Sequence, residues 1–263
     1  MTDSIHFSNA YSAVNGIQMY HEIYGQGQPL VLLHGGGSTI QSSFGNMIPL
    51  LARDHQVIAV ELQNHGRSGS RDIPETFEQD ADDVAALLKN IGISKANFFG
   101  FSNGGTTAMQ IGIRHPAIAN KLVLAAAASK RDGFIPGFFE GMQHAVLSNM
   151  PQELQEAFLK VNPDPAKLQA MFEKDRDRMI GFQDIADELI RSITAPTLLI
   201  NGDADVITSE HTLQLHRLIP GSQLAIIPGG HGKYIGESGT TSDGNYIIEF
   251  VAKLVKDFFE QPY

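Results

Sequence analysis

The feature that most constrains this chain of 263 residues is a regular alternation of short apolar runs with longer stretches of helical period. The runs Pro29 to His34, Gln56 to Leu62, Asn97 to Phe101, Lys121 to Ala127, Pro196 to Asn201 and Gln223 to Pro228 are almost continuously apolar. Strands covered on both faces read this way, because neither side of the pleat meets water. Between them lie the helical patterns Ser43 to Arg53, Phe77 to Asn90, Thr106 to His115, Glu210 to Leu218 and Tyr246 to Glu260, which supply the crossovers that parallel strands require. The expected fold class is α/β: a mostly parallel twisted sheet, helices on both faces, and function gathered at the carboxyl ends of the strands. Ahead of it, Tyr11 to Val14 and Ile17 to Tyr24 read as a β-hairpin, since Asn15-Gly16 suits the positive φ angles of a two-residue turn.

One interval breaks the rhythm. Residues 130–192 carry helical patterns and no convincing strand, which predicts a helical cap inserted into a core made of residues 1–129 and 193–263. The insert is rich in aromatic and methionine side chains. Phe134, Phe138, Phe139 and Met142 are candidates for substrate contact, because ligand pockets are lined mostly by such groups.

Charge and composition exclude several functions. Nineteen Lys and Arg stand against 29 Asp and Glu, a net charge of -10, which disfavours nucleic acid and anionic membranes as partners. The absence of cysteine removes disulfides, thiolate nucleophiles and cysteine-ligated zinc, and suits a reducing compartment. The first fifteen residues show no basic and apolar leader pattern, and no eighteen apolar residues run together, so a cytoplasmic protein acting on a small molecule is expected. No cofactor or metal is expected either. Gly35 to Gly37 lacks the following Gly-Lys-Ser/Thr of a phosphate loop, and His211 and His216 sit on a predicted surface helix without a ligand pattern. Asp80, Asp82 and Asp83 read as the solvated face of a helix, Asp175-Arg176-Asp177-Arg178 as an exposed helical surface, and His34 and His65 as side chains that fix turns.

The chemistry is carried by Gly100-Phe101-Ser102-Asn103-Gly104, which directly follows the apolar run Ala96 to Phe101 and precedes a helical stretch. A serine hydroxyl is a poor nucleophile in water. A sharp strand-to-helix turn lifts its oxygen clear of the sheet, beside helix N-terminal amides, and makes it useful. Such a serine needs a base, an orienting acid and oxyanion donors, and each has a candidate after a different predicted strand. His231 stands in Pro228-Gly229-Gly230-His231-Gly232, and Asp205 in Asn201-Gly202-Asp203-Ala204-Asp205, where it could accept the Nδ1 proton of the imidazole. The backbone N–H groups of Gly36, in His34-Gly35-Gly36-Gly37, and of Asn103 are the candidate oxyanion donors.

Taken in order, these pieces resemble the α/β-hydrolase superfamily, in particular its small capped serine members of the esterase, lactonase and haloperoxidase-like kind. The resemblance spans Gly16 to Phe259 and rests on His34 to Gly37, Glu61 to Ser68, the Ser102 turn, Gly202-x-x-Asp205 and Gly230-His231. It implies a triad of Ser102, His231 and Asp205, an oxyanion hole from the amides of Gly36 and Asn103, and a cap over the site. The chain departs from the family's pattern at Glu61-Leu62-Gln63-Asn64, where Asp followed by Arg or Pro is common, and in the polar stretch Ser238 to Asn245. Asp203 competes for the acid's role, although the family spacing favours Asp205. The implied reaction is acyl transfer to water from an ester or lactone of a small to medium uncharged substrate. The same site also suits cofactor-free haloperoxidase, perhydrolase or C–C bond hydrolase chemistry, and a slow-turnover ligand sensor is the reading from another class.

Overall fold

The computed structural model describes residues 7–240 and 246–262. Its strands are β1 (Phe7–Val14), β2 (Ile17–Tyr24), β3 (Gln28–Leu33), β4 (His55–Val60), β5 (Ala96–Phe101), β6 (Ala119–Ala125), β7 (Thr197–Ala204) and β8 (Gln223–Gly230). They form one eight-stranded sheet in the order β1-β2-β4-β3-β5-β6-β7-β8. β2 runs antiparallel to β1 and to β4, and every other neighbour is parallel. The hairpin turns at Asn15 and Gly16, with φ of 41° and 92°. After β3 the chain steps to one side for β4 and returns to the other for β5, so the β3–β5 boundary is the point where the winding reverses. Open α/β sheets place ligands at such a crevice.

The helices are α1 (Ile40–Phe44), α2 (Ile48–Leu51), α3 (Phe77–Asn90), α4 (Asn103–Arg114), α5 (Phe138–His144), α6 (Gln152–Val161), α7 (Pro165–Ile180), α8 (Asp187–Arg191), α9 (Ser209–Leu218) and α10 (Tyr246–Glu260). Successive strand residues feed opposite cores, as a period of two demands. Leu30, Leu32, Phe99 and Val123 pack with α1, α2 and α10, whereas Val31, Leu33, Phe98 and Leu122 pack with α3, α4, α8 and α9. Each fully buried Leu, Ile or Phe in these cores contributes roughly 1.5–3 kcal/mol.

The single helix expected over Ser43 to Arg53 is two short ones, α1 and α2. Pro49 explains the break: it has no N–H for an i→i−4 bond and is tolerated only in the first turn of α2. The acidic face expected on α3 is also different. Asp80 and Asp83 are buried, because Arg178 reaches Asp80 at 2.7 Å and Arg71 reaches Asp83 at 2.8 Å, and only Asp82 stays at the surface with Arg114. His211 on α9 is likewise buried, its Nε2 accepting the Ser129 N–H at 3.0 Å.

Between β6 and β7 the chain makes an all-helical excursion, tied back to the loop after β7 by the bridge Phe134–Ile207. It has a small core of its own around Phe158, with Met150, Leu154, Leu168 and Met171. Its last helix, α8, buries Ile190 in the core beneath the sheet. Among the described residues no helix is long and apolar enough to cross a membrane. Residues 241–245 of the polar stretch Ser238 to Asn245 lie outside the described residues.

Candidate active site

Ser102 stands between the end of β5 and the start of α4 with φ 55° and ψ -120°, a backbone state that a side chain disfavours. The turn is tight enough to dictate its neighbours. A Cβ on Gly100 would lie 2.0 Å from the Gly104 carbonyl oxygen, and one on Gly104 would lie 2.1 Å from that of Leu33, so neither position admits a side chain. The turn is pinned by Ser102 N–H donating to Ala125 O at 2.8 Å and by Thr106 N–H donating to Ser102 O at 3.0 Å.

Three strand ends converge on the serine oxygen. His231, just past β8, places Nε2 3.0 Å from Ser102 Oγ, and its Nδ1 lies 2.7 Å from Asp205 Oδ1. With Nδ1–H donated to the carboxylate, Nε2 is the lone-pair nitrogen that accepts the serine hydroxyl. The ring packs on Phe101, with centroids 4.7 Å apart, which fixes its plane. Burial lowers the affinity of the imidazole for a proton, but the Asp205 bond and charge, and then the charge of Glu237, outweigh it and hold the pKa above the ordinary histidine value. Asp205 is itself fixed by the Ile207 N–H, donated to Oδ1 at 3.1 Å. Asp203 turns elsewhere and accepts the Gly229 N–H at 2.7 Å.

The loop after β3 faces the serine. Its amides are spoken for on either side of Gly36: Gly35 N–H donates to Ser43 Oγ at 3.2 Å and Gly37 N–H to Asp175 Oδ2 at 2.6 Å. Gly36 N–H is left without a partner among the described residues, as is Asn103 N–H at the first position of α4, and both residues line the cavity beside Ser102. Two such donors, one of them at the positive end of a helix dipole, are suited to an oxygen that gains negative charge.

Asp175 and its partners are the part of the site that the sequence concealed. Expected on an exposed helical surface, Asp175 and Arg178 of α7 are buried instead, because this face of α7 docks onto the β3 and β4 loops. Asp175 accepts from Gly37 N–H, His65 Nε2 at 2.8 Å, Asn103 Nδ2 at 3.4 Å and the Arg178 guanidinium. His65 also donates Nδ1–H to the Gln63 carbonyl at 2.9 Å. Its Nε2 meets both the Asp175 carboxylate and, at 3.3 Å, the Gly37 N–H; burial opposes a charge on the ring, but Asp175 overcomes it and raises the pKa to about 9. His34 is the opposite case. Its Nδ1 bonds the Gly35 carbonyl and its Nε2 accepts the Leu62 N–H at 3.0 Å, so it fixes the turn as a neutral ring, with burial and then His65 pushing its pKa down to about 3.

A cavity of about 350 Å³ opens above Ser102, His231, Gly36 and Asn103, beneath α5, α6 and α7. Phe134, Phe138 and Met142 line it, joined by Phe77, Met150 and Met179. Phe139 is not among the lining residues: it stacks edge-on to Phe134 and Phe138 and carries the Arg131 guanidinium on its face, 3.6 Å from the ring centroid. Among the described residues no cluster of three or more histidine or acidic side chains is arranged to hold a metal ion.

This architecture, with a serine at a strained strand-to-helix turn facing a histidine and an acid from later strands, defines a class. The chain belongs to the α/β-hydrolase superfamily, as a serine hydrolase of that fold: the family model described as alpha/beta hydrolase fold matches residues 28–158. The chain is 28% identical over 239 residues to the 2-hydroxy-6-oxo-6-(2'-aminophenyl)hexa-2,4-dienoic acid hydrolase of Metapseudomonas resinovorans, covering 81% of this chain and 80% of the relative. It is equally 28% identical over 239 residues to the serine hydrolase BPHL of Homo sapiens, covering 85% and 79%. A crystal structure of a serine hydrolase involved in carbazole degradation superposes with a TM-score of 0.79 over 97% of this chain and 99% of that one, at 24% identity, a likeness of fold alone.

Proposed function

We propose that the protein hydrolyses a carboxylic ester or lactone whose acyl part is largely apolar and uncharged, through an acyl-enzyme on Ser102. The observation that carries this reading is the relay Ser102 Oγ, His231, Asp205 at the floor of an apolar cavity, with two unspent amides beside the oxygen. His231 Nε2 takes the Ser102 proton as Oγ bonds to the carbonyl carbon, and the carbonyl oxygen becomes an oxyanion held by Gly36 and Asn103 N–H. Each such donor contributes about 3 to 4 kcal/mol. The C–O bond to the alcohol then breaks, and the imidazolium returns its proton to the departing oxygen. Water attacks the acyl carbon, gives a proton to His231, and releases the acid as Ser102 Oγ recovers that proton. Residues 130–192 act in this reading as a cap that keeps bulk water from the acyl group.

Kinship to the dienoic acid hydrolase favours a second reading, C–C bond hydrolysis at the same serine. The charges around the cavity weigh against an acidic substrate. Asp175 lines it, Arg178 is consumed by Asp80 and Asp175, and Arg176 is paired with Asp177 at 2.8 Å. A fluorophosphonate should label the wild type at Ser102 and leave Ser102→Ala untouched. Turnover of p-nitrophenyl butyrate by wild type, with none of a 2-hydroxy-6-oxo-hexa-2,4-dienoic acid, is the expected pattern; the reverse pattern rejects the ester assignment.

A further inference from the structure

A second cavity, of about 300 Å³, also reaches Ser102 and His231 and shares Gly36, Pro151 and Leu154 with the first. It lies between the start of α6, at Pro151 and Leu154, and the turn formed by Glu237 to Thr240. Its distinguishing group is Glu237, 7% exposed. Oε1 accepts the Ser38 hydroxyl at 2.7 Å and the Ser43 hydroxyl at 2.9 Å, which locks the carboxylate plane. Oε2 faces the turn that carries His231: a Cβ on Gly232, whose φ is 74°, would stand only 2.7 Å from it. Among the described residues nothing donates to Oε2, and no lysine or arginine pairs with Glu237. A carboxylate this deeply placed carries a desolvation cost that a donor would offset, and here Glu237 lines an empty volume that also meets Ser102 and His231.

Resting on the ester reading, we propose that this second cavity takes the alcohol part of the substrate, and that Glu237 selects alcohols bearing a further hydrogen-bond donor, a hydroxyl or a protonated amine. The assignment of the two arms follows from their linings. His231 and Ser102 line both cavities, so the imidazolium can return its proton to an oxygen departing into either; the larger apolar cavity suits the acyl chain, which leaves the one beside Glu237 for the alcohol. The substrate class is thus a monoester of a diol or of an amino alcohol.

Three butyrates test this: propyl, 2-hydroxyethyl, which matches propyl in length, and protonated 2-(dimethylamino)ethyl. For the wild type, kcat/KM for at least one donor-bearing ester should exceed that for the propyl ester about tenfold, and which one gains distinguishes a neutral from a cationic alcohol. In Glu237→Gln the amide oxygen can still accept from both serines while a donor replaces the spare acceptor. The ratio should then fall towards one. Because each comparison is a ratio within one protein, any general effect of the substitution on His231 divides out. A ratio near one in the wild type, or a tenfold ratio that survives in Glu237→Gln, overturns the proposal and leaves the ester reading standing. Failure of the wild type to hydrolyse any of the three overturns both.

Discussion

Ser102 holds a conformation that its own Cβ resists, and the bare backbones at Gly100 and Gly104 make that conformation reachable. Strain of this kind costs of order 1–3 kcal/mol. Ser102→Gly should therefore unfold at a higher temperature than Ser102→Ala, with both losing at least about 10⁴-fold in ester hydrolysis; equal melting temperatures in calorimetry would contradict the strain. The imidazole of His231 acts as a base only when neutral, and its pKa lies above the ordinary value of 6.5. Activity should accordingly be present at high pH and fall as pH drops through a midpoint above 6.5, read from the acid limb of kcat/KM. A limb centred below 6 would show that Asp205 and Glu237 do not raise the affinity of the ring for a proton. At this scale the sequence was most informative. Ser102, His231 and Asp205 each follow a strand in a small-residue context that the sequence displays; Asp203 competed for the acid's place, the family's spacing favoured Asp205, and in the structure Asp205 meets His231 Nδ1 while Asp203 accepts the Gly229 N–H.

Helix α7 shows where that legibility stopped. Asp175 and Arg178 are spaced like any surface i,i+3 pair, and what buries them is the docking of this helix against loops more than a hundred residues earlier in the chain. No local pattern carries such a contact. Phe139 was indistinguishable from Phe134 and Phe138 for the same reason, since only the direction of each ring decides which one meets the cavity. Two outcomes follow from the network on α7. Arg178→Met strips Asp80 and Asp175 of their buried cation and should cost about 3–5 kcal/mol, visible as a drop of about 6 to 20 °C in melting temperature. Asp175→Asn keeps an acceptor for Gly37 but loses the charge that holds His65 and Arg178. Its kcat should fall about 10- to 100-fold through misplacement of the Gly36 loop, with a smaller change in KM; a rise in KM alone would assign Asp175 to binding instead.

For the molecule as a whole, the alternating pattern led directly to a mostly parallel sheet with helices on both faces, because burial on both faces leaves a mark in every strand; the strand order came from the structure. The electrostatic response to pH was not legible in that way, since it depends on which acids are enclosed. Glu75 is 5% exposed, with neither carboxylate oxygen bonded among the described residues, and burial, then the charge of Asp175, raise its pKa to about 7. Its folded value lies above the unfolded value near 4.5, so its contribution to stability is full below pH 4.5 and is lost as pH rises through 7. Glu75→Gln should therefore stabilise the protein at pH 8 by on the order of 1 to 3 kcal/mol, with the gain vanishing near pH 4.5 in denaturant titrations. An equal gain at both pH values would mean that ionisation of Glu75 is not the cause. The bond from Gly37 N–H to Asp175 has a wider meaning, because it ties the roof of the cavity to the loop that would steady the oxyanion. Any displacement of α7 away from the loop after β3 would break that bond, so the positions of the two are coupled, and a wider cavity comes only with a looser loop beside Ser102.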